Sequence, residues 1–336
     1  MLFIDYGPPG SPESLRLSEA PTPSPASGEI LIEVQFAGVN RPDVMQRLGR
    51  YPPPPGASPI LGLEVAGRVA ALGTGVTQWQ LGDPVCALVP GGGYAQFCVA
   101  PAGHALPIPT GLSMAQAAGL PENWFTVWAN LIGMAGLRRG ERVLVHGGSS
   151  GIGLAAIQLA RHVGAEAIVT VGSEEKVRFC RQFGAAEAIN YRTEDFVARI
   201  QQFTGGAGVD VVLDMVGGPY IAKNIGLLRR DGRLVFIAFL QGSRCELDLL
   251  PVMLKRLRVT GSTMRPRSTE EKTAIRDALA HEIWPAFDAG ALRMHLCATF
   301  PADRAADAHR LMESSRHIGK IVLQMPPLGT PERADG

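Results

Sequence analysis

A chain of 336 residues, 46% hydrophobic and 19% charged, is long enough for two buried cores and too apolar to be disordered. Thirty-two Lys and Arg against 31 Asp and Glu leave a net charge of +1, which gives no basic footprint for nucleic acid or a membrane surface. The scattered Cys86, Cys98, Cys180, Cys245 and Cys297 form no C-x-x-C pair and read as buried small hydrophobes, not as a disulfide framework. No run of about 18 apolar residues appears. Met1–Tyr6 lacks the basic-then-apolar pattern of a signal peptide, so a soluble cytoplasmic protein is expected.

In chain order, residues 7–28 carry Pro8, Pro9, Pro12, Pro21, Pro23 and Pro25 and read as loop. A strand follows at Ile30–Val34, and Val39–Asp43 turns into a short helix around Val44–Gln46. Tyr51 opens the run Pro52–Pro55, which stays extended because each proline restricts the residue before it. Short strands between Gly and Pro turns lie within 62–73, 83–88 and 94–100, so the first third reads as a β-barrel-like domain. Ser113 can cap a helix to Leu120, and another runs from Phe125 to Met134. From Gly140 strand and helix alternate. Strands are expected at 143–145, 167–171, 188–191, 209–215, 233–238 and 259–262, and helices near 152–163, 174–183, 195–203 and 219–228. Six such strands make a doubly wound parallel sheet in the order 3-2-1-4-5-6. A long helix over 269–287, with Thr269 as cap and no capping box, precedes a strand at 294–300, a helix at 305–313 and a final strand at 320–324. These segments return to the first domain. The expected division is 1–120 with 266–325, then 121–265, with a disordered tail over 326–336.

The chain is organised around Arg142-Val-Leu-Val-His-Gly-Gly-Ser-Ser-Gly-Ile-Gly-Leu-Ala-Ala-Ile-Gln-Leu-Ala. Val143–Val145 is a buried strand, and Ile152, Ala155, Ala156, Leu159, Ala160 and Val163 form the apolar stripe of a helix. Between them Gly148-x-x-Gly151-x-Gly153 departs from the commoner G-x-G-x-x-G. Glycines there let the backbone approach a ligand, and the helix N-terminus favours a phosphate. With the strand 167–171 behind it, this is the βαβ unit that binds dinucleotides. Gly148, Ser149, Ser150, Gly151 and Ile152 are its expected cofactor contacts.

These residues carry a resemblance. Gly38-Val-Asn-Arg-Pro-Asp-Val-Met-Gln-Arg, Tyr51-Pro-Pro-Pro-Pro-Gly, Leu61-Gly-Leu-Glu-Val-Ala-Gly, Leu88-Val-Pro-Gly-Gly-Gly-Tyr-Ala, His146-Gly-Gly-Ser-Ser-Gly-Ile-Gly, Gly184-Ala-Ala-Glu-Ala-Ile-Asn-Tyr and Ile318-Gly-Lys-Ile-Val-Leu stand in order and at family spacing. To about Gln324 the chain resembles the zinc-free quinone oxidoreductases of the medium-chain dehydrogenase/reductase superfamily. It looks most like their tumour-suppressor-inducible subgroup, through Asp43-Val-Met-Gln-Arg, Thr170-Val-Gly-Ser and Met253-Leu-Lys-Arg. The resemblance implies an α/β fold, with a GroES-like barrel domain and a Rossmann domain. It also implies an NADPH-dependent reductase, usually a homodimer; the last Rossmann strand, Val259–Ser262, would pair across a two-fold axis.

Zinc alcohol dehydrogenases of this superfamily have Cys where this chain has Val39-Asn40, and Gly-His-Glu where it has Gly62-Leu63-Glu64. They also carry a four-Cys lobe near which only Cys98 falls. A catalytic zinc needs about three protein ligands, so no metal site is expected. The second Rossmann strand ends Val171-Gly172-Ser173-Glu174-Glu175-Lys176, with no acid at its tip to hold a ribose 2′-hydroxyl. Gly172 and Ser173 leave room for a 2′-phosphate, Lys176 supplies charge and Tyr191 a hydroxyl. Glu174 and Glu175 would repel that phosphate if they pointed inward, and a plain helix start is the other reading. By resemblance, Asn40, Asp43 and Tyr51 line the cleft beside the nicotinamide. The Tyr51 hydroxyl is placed to bond an acceptor oxygen that gains charge; equally, Tyr51 can pack the proline turn and Asn40 can be a satisfied turn residue. Thr126, Phe239, Leu240 and Lys320 are further expected cofactor contacts. The leading function is NADPH:quinone reduction, with a small electrophilic acceptor as the only partner besides a second copy. The alternatives are an enoyl-thioester or alkenal double-bond reductase, and a non-enzymatic NADPH-binding protein.

Overall fold

The structure, a computed structural model, describes residues 1–328. The tail expected over 326–336 lies, beyond Leu328, outside the described residues. The chain divides into two units, Met1–Glu122 with the segment from Ser268 onward, and Asn123–Arg267.

In the first unit the long strand Glu29–Val39 organises a seven-stranded sheet. It pairs antiparallel with Glu64–Leu72, Phe97–Pro101 and Lys320–Gln324. Pro84–Leu88 and Ala105–Pro107 extend the sheet on one side, and Leu296–Pro301 on the other. The strand runs five residues past the expected Val34. Register shifts at Leu31/Ile32 and Val34/Phe36 bend it, as bulges do, so that it serves several partners. Ile30, Ile32 and Val34 enter a core with Val65, Val69, Val85 and Leu323. Burying side chains of this size contributes roughly 1.5–3 kcal/mol each. Within the expected N-terminal loop, Arg16–Glu19 is a strand paired with Leu2–Asp5.

Two details correct the sequence reading. Ser268, not Thr269, caps the helix Thr269–Glu282: its hydroxyl accepts the Glu271 N–H, and the Glu271 carboxylate accepts the Ser268 N–H. A capping box is therefore present. The helix also ends at Glu282, and Trp284–Asp288 follows as a separate short helix. Pro285, which lacks an N–H, sits in its first turn.

The second unit is a parallel six-stranded sheet in the order Glu187–Asn190, Glu166–Val171, Arg142–His146, Val209–Asp214, Leu228–Phe236, Arg258–Gly261. That is the doubly wound 3-2-1-4-5-6 order. Leu144, Ile168, Ile189, Val212 and Leu234 stack in its core against Ile200 and Ile225 from the covering helices. Short apolar runs in all strands but the last match a sheet buried on both faces. The helix Pro121–Val127 passes into wider turns over Trp128–Met134, where the Ala135 N–H reaches the Asn130 carbonyl. Such wide turns cluster at functional sites. A short helix at Leu250–Leu254 escaped the periodicity reading; Leu250, Met253 and Leu254 are exposed.

Candidate active-site residues

In the second unit the glycine turn is built as the sequence requires. A Cβ on Gly148 would run into Val169, and one on Gly153 into the Gly147–Gly148 backbone. The helix Gly151–Val163 can therefore start close against the strand ends only with glycine there. Ser150 is the N-cap: its hydroxyl donates to the Gly147 carbonyl (2.8 Å) and accepts the Gly153 N–H (3.1 Å). The Ser150 hydroxyl thus shapes the turn in which the expected cofactor contacts lie. The N–H groups of Gly151 and Ile152 remain unpaired among the described residues, at the positive end of the helix. Ser149 is buried beside them.

At the tip of the second strand, a Cβ on Gly172 would lie 2.9 Å from the Tyr191 hydroxyl and 3.4 Å from Arg192 Nε. Ser173 caps the next helix by accepting the Lys176 N–H. Glu174 turns to Asn190, whose Nδ2 donates to its carboxylate at 2.8 Å. Glu175 is exposed, and Lys176 half-buried. The tip therefore gathers Gly172, Ser173, Tyr191 and a guanidinium the sequence reading passed over, Arg192. The signal was its place immediately after Tyr191.

A buried polar chain underlies the turn. His146 Nε2 donates to Asn224 Oδ1 (2.8 Å), and Asn224 Nδ2 donates to Asp214 Oδ2 (3.0 Å). His146 Nδ1 then accepts from the Thr170 hydroxyl (2.8 Å). Burial holds His146 below the usual histidine pKa, which suits a neutral ring with one donor and one acceptor nitrogen. Asp214 accepts the Val216 and Gly217 N–H groups, fixing the loop after the fourth strand. Onto that loop fold Phe239 and Leu240, both exposed, with the Leu240 N–H on the Met215 carbonyl. Thr126 is buried, and its carbonyl accepts from Asn130 Nδ2, while Asn130 Oδ1 accepts from the Ser262 hydroxyl.

In the first unit Asn40 and Asp43 are brought together, but inside a buried network. Asp43 Oδ2 accepts the Asn40 N–H (2.7 Å) and the Tyr94 hydroxyl (3.3 Å), while Oδ1 accepts the Gly62 N–H (3.1 Å). Asn40 Nδ2 donates to Glu64 Oε1 at 2.8 Å. Lys320, an expected cofactor contact, is buried. Its ammonium is enclosed and donates to Glu64, to Asn40 Oδ1 (2.7 Å) and to the Val39 carbonyl (3.3 Å), which uses all three protons. Burial raises Asp43 to about 7, against the opposing pull of the Asn40 N–H and Lys320. Glu122 rises to about 8, through burial and the Glu64 charge. His309, whose Nε2 meets the Tyr94 hydroxyl at 3.2 Å, falls to about 3 through burial and the Arg47 charge. Tyr51 is half-buried at the head of Pro52–Pro55.

Where a zinc enzyme of this superfamily would present ligands, Glu64 is engaged by Lys320, Asn40 Nδ2 and the Glu122 N–H. Burial drives the Cys98 thiol up to about 12 and Cys86 higher still. Among the described residues no three His, Cys, Asp or Glu side chains group as a metal site. No helix among them is long and apolar enough to cross a membrane.

A glycine turn on a doubly wound sheet, in a chain that also carries a separate barrel-like unit, defines a class of dinucleotide-dependent oxidoreductase, and comparison with known proteins specifies it. The family described as alcohol dehydrogenase GroES-like domain matches residues 26–110, and zinc-binding dehydrogenase matches 151–280. Rat quinone oxidoreductase is 33% identical over 319 residues, 94% of each chain. The structure of Escherichia coli quinone oxidoreductase complexed with NADPH superposes with a TM-score of 0.85 at 31% identity, covering 96% of this chain and 100% of that one. The CurK enoyl reductase structure gives 0.85 at 30%, covering 97% and 99%. A Mycobacterium tuberculosis mycocerosic acid synthase-like polyketide synthase is 33% identical over 322 residues, and there the chain spans 15% of the relative's length. The chain belongs to the medium-chain dehydrogenase/reductase superfamily, in the branch that holds quinone oxidoreductases and enoyl reductases.

Proposed function

We propose that this protein is an NADPH-dependent, zinc-independent reductase of quinones, close to the tumour-suppressor-inducible subgroup. The observation that carries the cofactor choice is the second-strand tip. Gly172, lacking a Cβ, lets the Tyr191 hydroxyl come close to the strand tip, Arg192 stands beside it, and Asn190 draws Glu174 aside. These groups and Ser173 and Lys176 suit a 2′-phosphate; the Gly151 and Ile152 N–H groups suit the pyrophosphate. NADPH, when bound, supplies the hydride. Thr126, Phe239 and Leu240 are proposed to line the nicotinamide end, and Tyr51 to donate a hydrogen bond to the acceptor. Asn40, Asp43 and Lys320 support that site from within rather than touching its ligands. The quinone choice rests on the near-full-length relatives with that activity in their names. The enoyl reductase reading keeps the support of CurK.

We also infer that a second copy covers the exposed Leu249, Leu250, Met253, Leu254 and Val259, the last on the edge strand of the parallel sheet. The cofactor reading is tested by titration of NADPH and NADH fluorescence. NADPH binding at least tenfold tighter supports it, and equal affinity overturns it. Activity that survives chelation, with no stoichiometric zinc by elemental analysis, is expected as well.

A further inference from the structure

Reduction by a hydride also requires a proton, and the described network holds one acid suited to supply it. We propose that the carboxyl of Glu122 is the proton donor to the acceptor. The proposal rests on the reductase reading and holds for a quinone or a polarised double bond alike.

Asp43, Glu64 and Glu122 share one buried cluster joined by Glu64. Its Oε1 faces Lys320 and Asn40, and its Oε2 accepts the Glu122 N–H at 2.9 Å. Lys320 is the cation inside this network, and Lys272, on the helix Thr269–Glu282, acts on Glu122 from outside it. Neighbouring carboxylates in a dry interior do not all ionise near neutral pH, so the cluster keeps a proton.

The hydrogen bonds locate that proton. Glu64 is ion-paired, with both oxygens accepting. Asp43 accepts two backbone N–H groups and the Tyr94 hydroxyl, a donor set that suits a carboxylate. The Glu122 carboxyl accepts no hydrogen bond among the described residues, so ionisation gains it the least. Its pKa of about 8 agrees with this order, above the value of about 7 for Asp43. Glu122 is also the one residue of the three that is half-buried rather than fully buried. Pro121 fixes the chain before it, and Glu64 holds its N–H, so the root of the side chain is set while its end stays unbound.

The balance is simple. NADPH, when bound, would supply the hydride, two electrons with one hydrogen nucleus, and be oxidised in doing so. The acceptor gains the hydride and is reduced. As the Glu122 O–H bond breaks, its electron pair stays on the carboxylate, and the proton forms an O–H bond on a quinone or a C–H bond on a polarised alkene. The carboxylate then recovers a proton from water, the residue being half-buried.

The test has two parts. In the resting wild type, infrared spectroscopy should show a carboxylic acid C=O band that titrates away near pH 8 and is missing in Glu122→Gln. In turnover with NADPH and a quinone, wild-type kcat/KM should fall above that pH. Glu122→Gln should lower kcat about a hundredfold and flatten the alkaline limb. Glu122→Asp should recover part of the rate, and NADPH affinity should stay unchanged throughout. An active wild type with no such band at pH 7, or a Glu122→Gln variant that keeps its kcat and pH profile, overturns the proposal and leaves the reductase reading standing. A wild type that oxidises NADPH with neither quinone nor alkene acceptors overturns both.

Discussion

Replacing Lys320 with Met separates two roles for this residue, interior ion pair and cofactor contact. The Lys320 and Glu64 side chains are 3% and 0% exposed. Removing one member of a buried pair costs about 3–5 kcal/mol, because the survivor's charge stays in a poor solvent. Glu64 keeps two donors in the variant, Asn40 Nδ2 and the Glu122 N–H, which favours the lower end. Against that, Asn40 Oδ1 and the Val39 carbonyl each lose a donor, at about 1 kcal/mol apiece. A loss of about 4 kcal/mol in the first unit is therefore expected. Adding Glu64→Gln removes the stranded charge and restores a donor for Asn40, and should recover at least half of it. Urea unfolding followed by tryptophan fluorescence reads both units, since Trp79 and Trp284 lie in the first and Trp124 and Trp128 in the second. A loss below about 1 kcal/mol accompanied by weakened NADPH binding would refute the reasoning. It would return Lys320 to the cofactor role expected from the sequence.

Arg192→Ala and Lys176→Ala should each weaken NADPH about tenfold, the worth of one charge-assisted contact, and spare NADH; equal losses for both cofactors would contradict the phosphate assignment. Acid should destabilise the first unit through His309. Its folded pKa of about 3 lies below the unfolded value near 6.5, so stability is complete above pH 6.5 and declines toward pH 3 by up to about 1.4 kcal/mol per unit. His309→Gln should flatten that decline in pH-dependent unfolding, and an unchanged slope would show that another group governs it. In sedimentation at micromolar concentration the protein should be a dimer, and Leu250→Glu with Met253→Glu should yield monomers; a monomeric wild type would remove the second copy from the account.

The parallel sheet was legible in the sequence because buried strands and amphipathic helices alternate there with clear punctuation. Its six-strand order followed from one rule of connection. The first unit was harder. Glu29–Val39 carries bulges that disturb a two-residue period, and Leu2–Asp5 pairs with Arg16–Glu19 across a proline-rich stretch that reads as loop. Ser268 and Thr269 both carry a capping hydroxyl, so residue type alone does not say which of them precedes the helix. At the tip of the second strand, Gly172, Ser173, Lys176 and Tyr191 are legible in the sequence, whereas Arg192 becomes visible only where Gly172 and the end of the third strand meet in space. The network of Asn40, Asp43, Glu64 and Lys320 could not be read from spacing, since it closes over 280 residues between Asn40 and Lys320. Family position suggested cleft contacts for three of these residues, and the structure adds the hydrogen bonds they make to one another and to Glu64.

The central claim, NADPH-dependent reduction of quinones, is tested most directly by kcat/KM for ortho- and para-quinones, alkenals and enoyl thioesters under one set of conditions. Each is measured with NADPH and with NADH, in wild type and Tyr51→Phe. The account predicts that a quinone with NADPH is the best pair and that Tyr51→Phe lowers its kcat/KM, by up to about a hundredfold if the hydroxyl acts as an oxyanion donor. Enoyl thioesters ahead of every quinone by tenfold or more would contradict it.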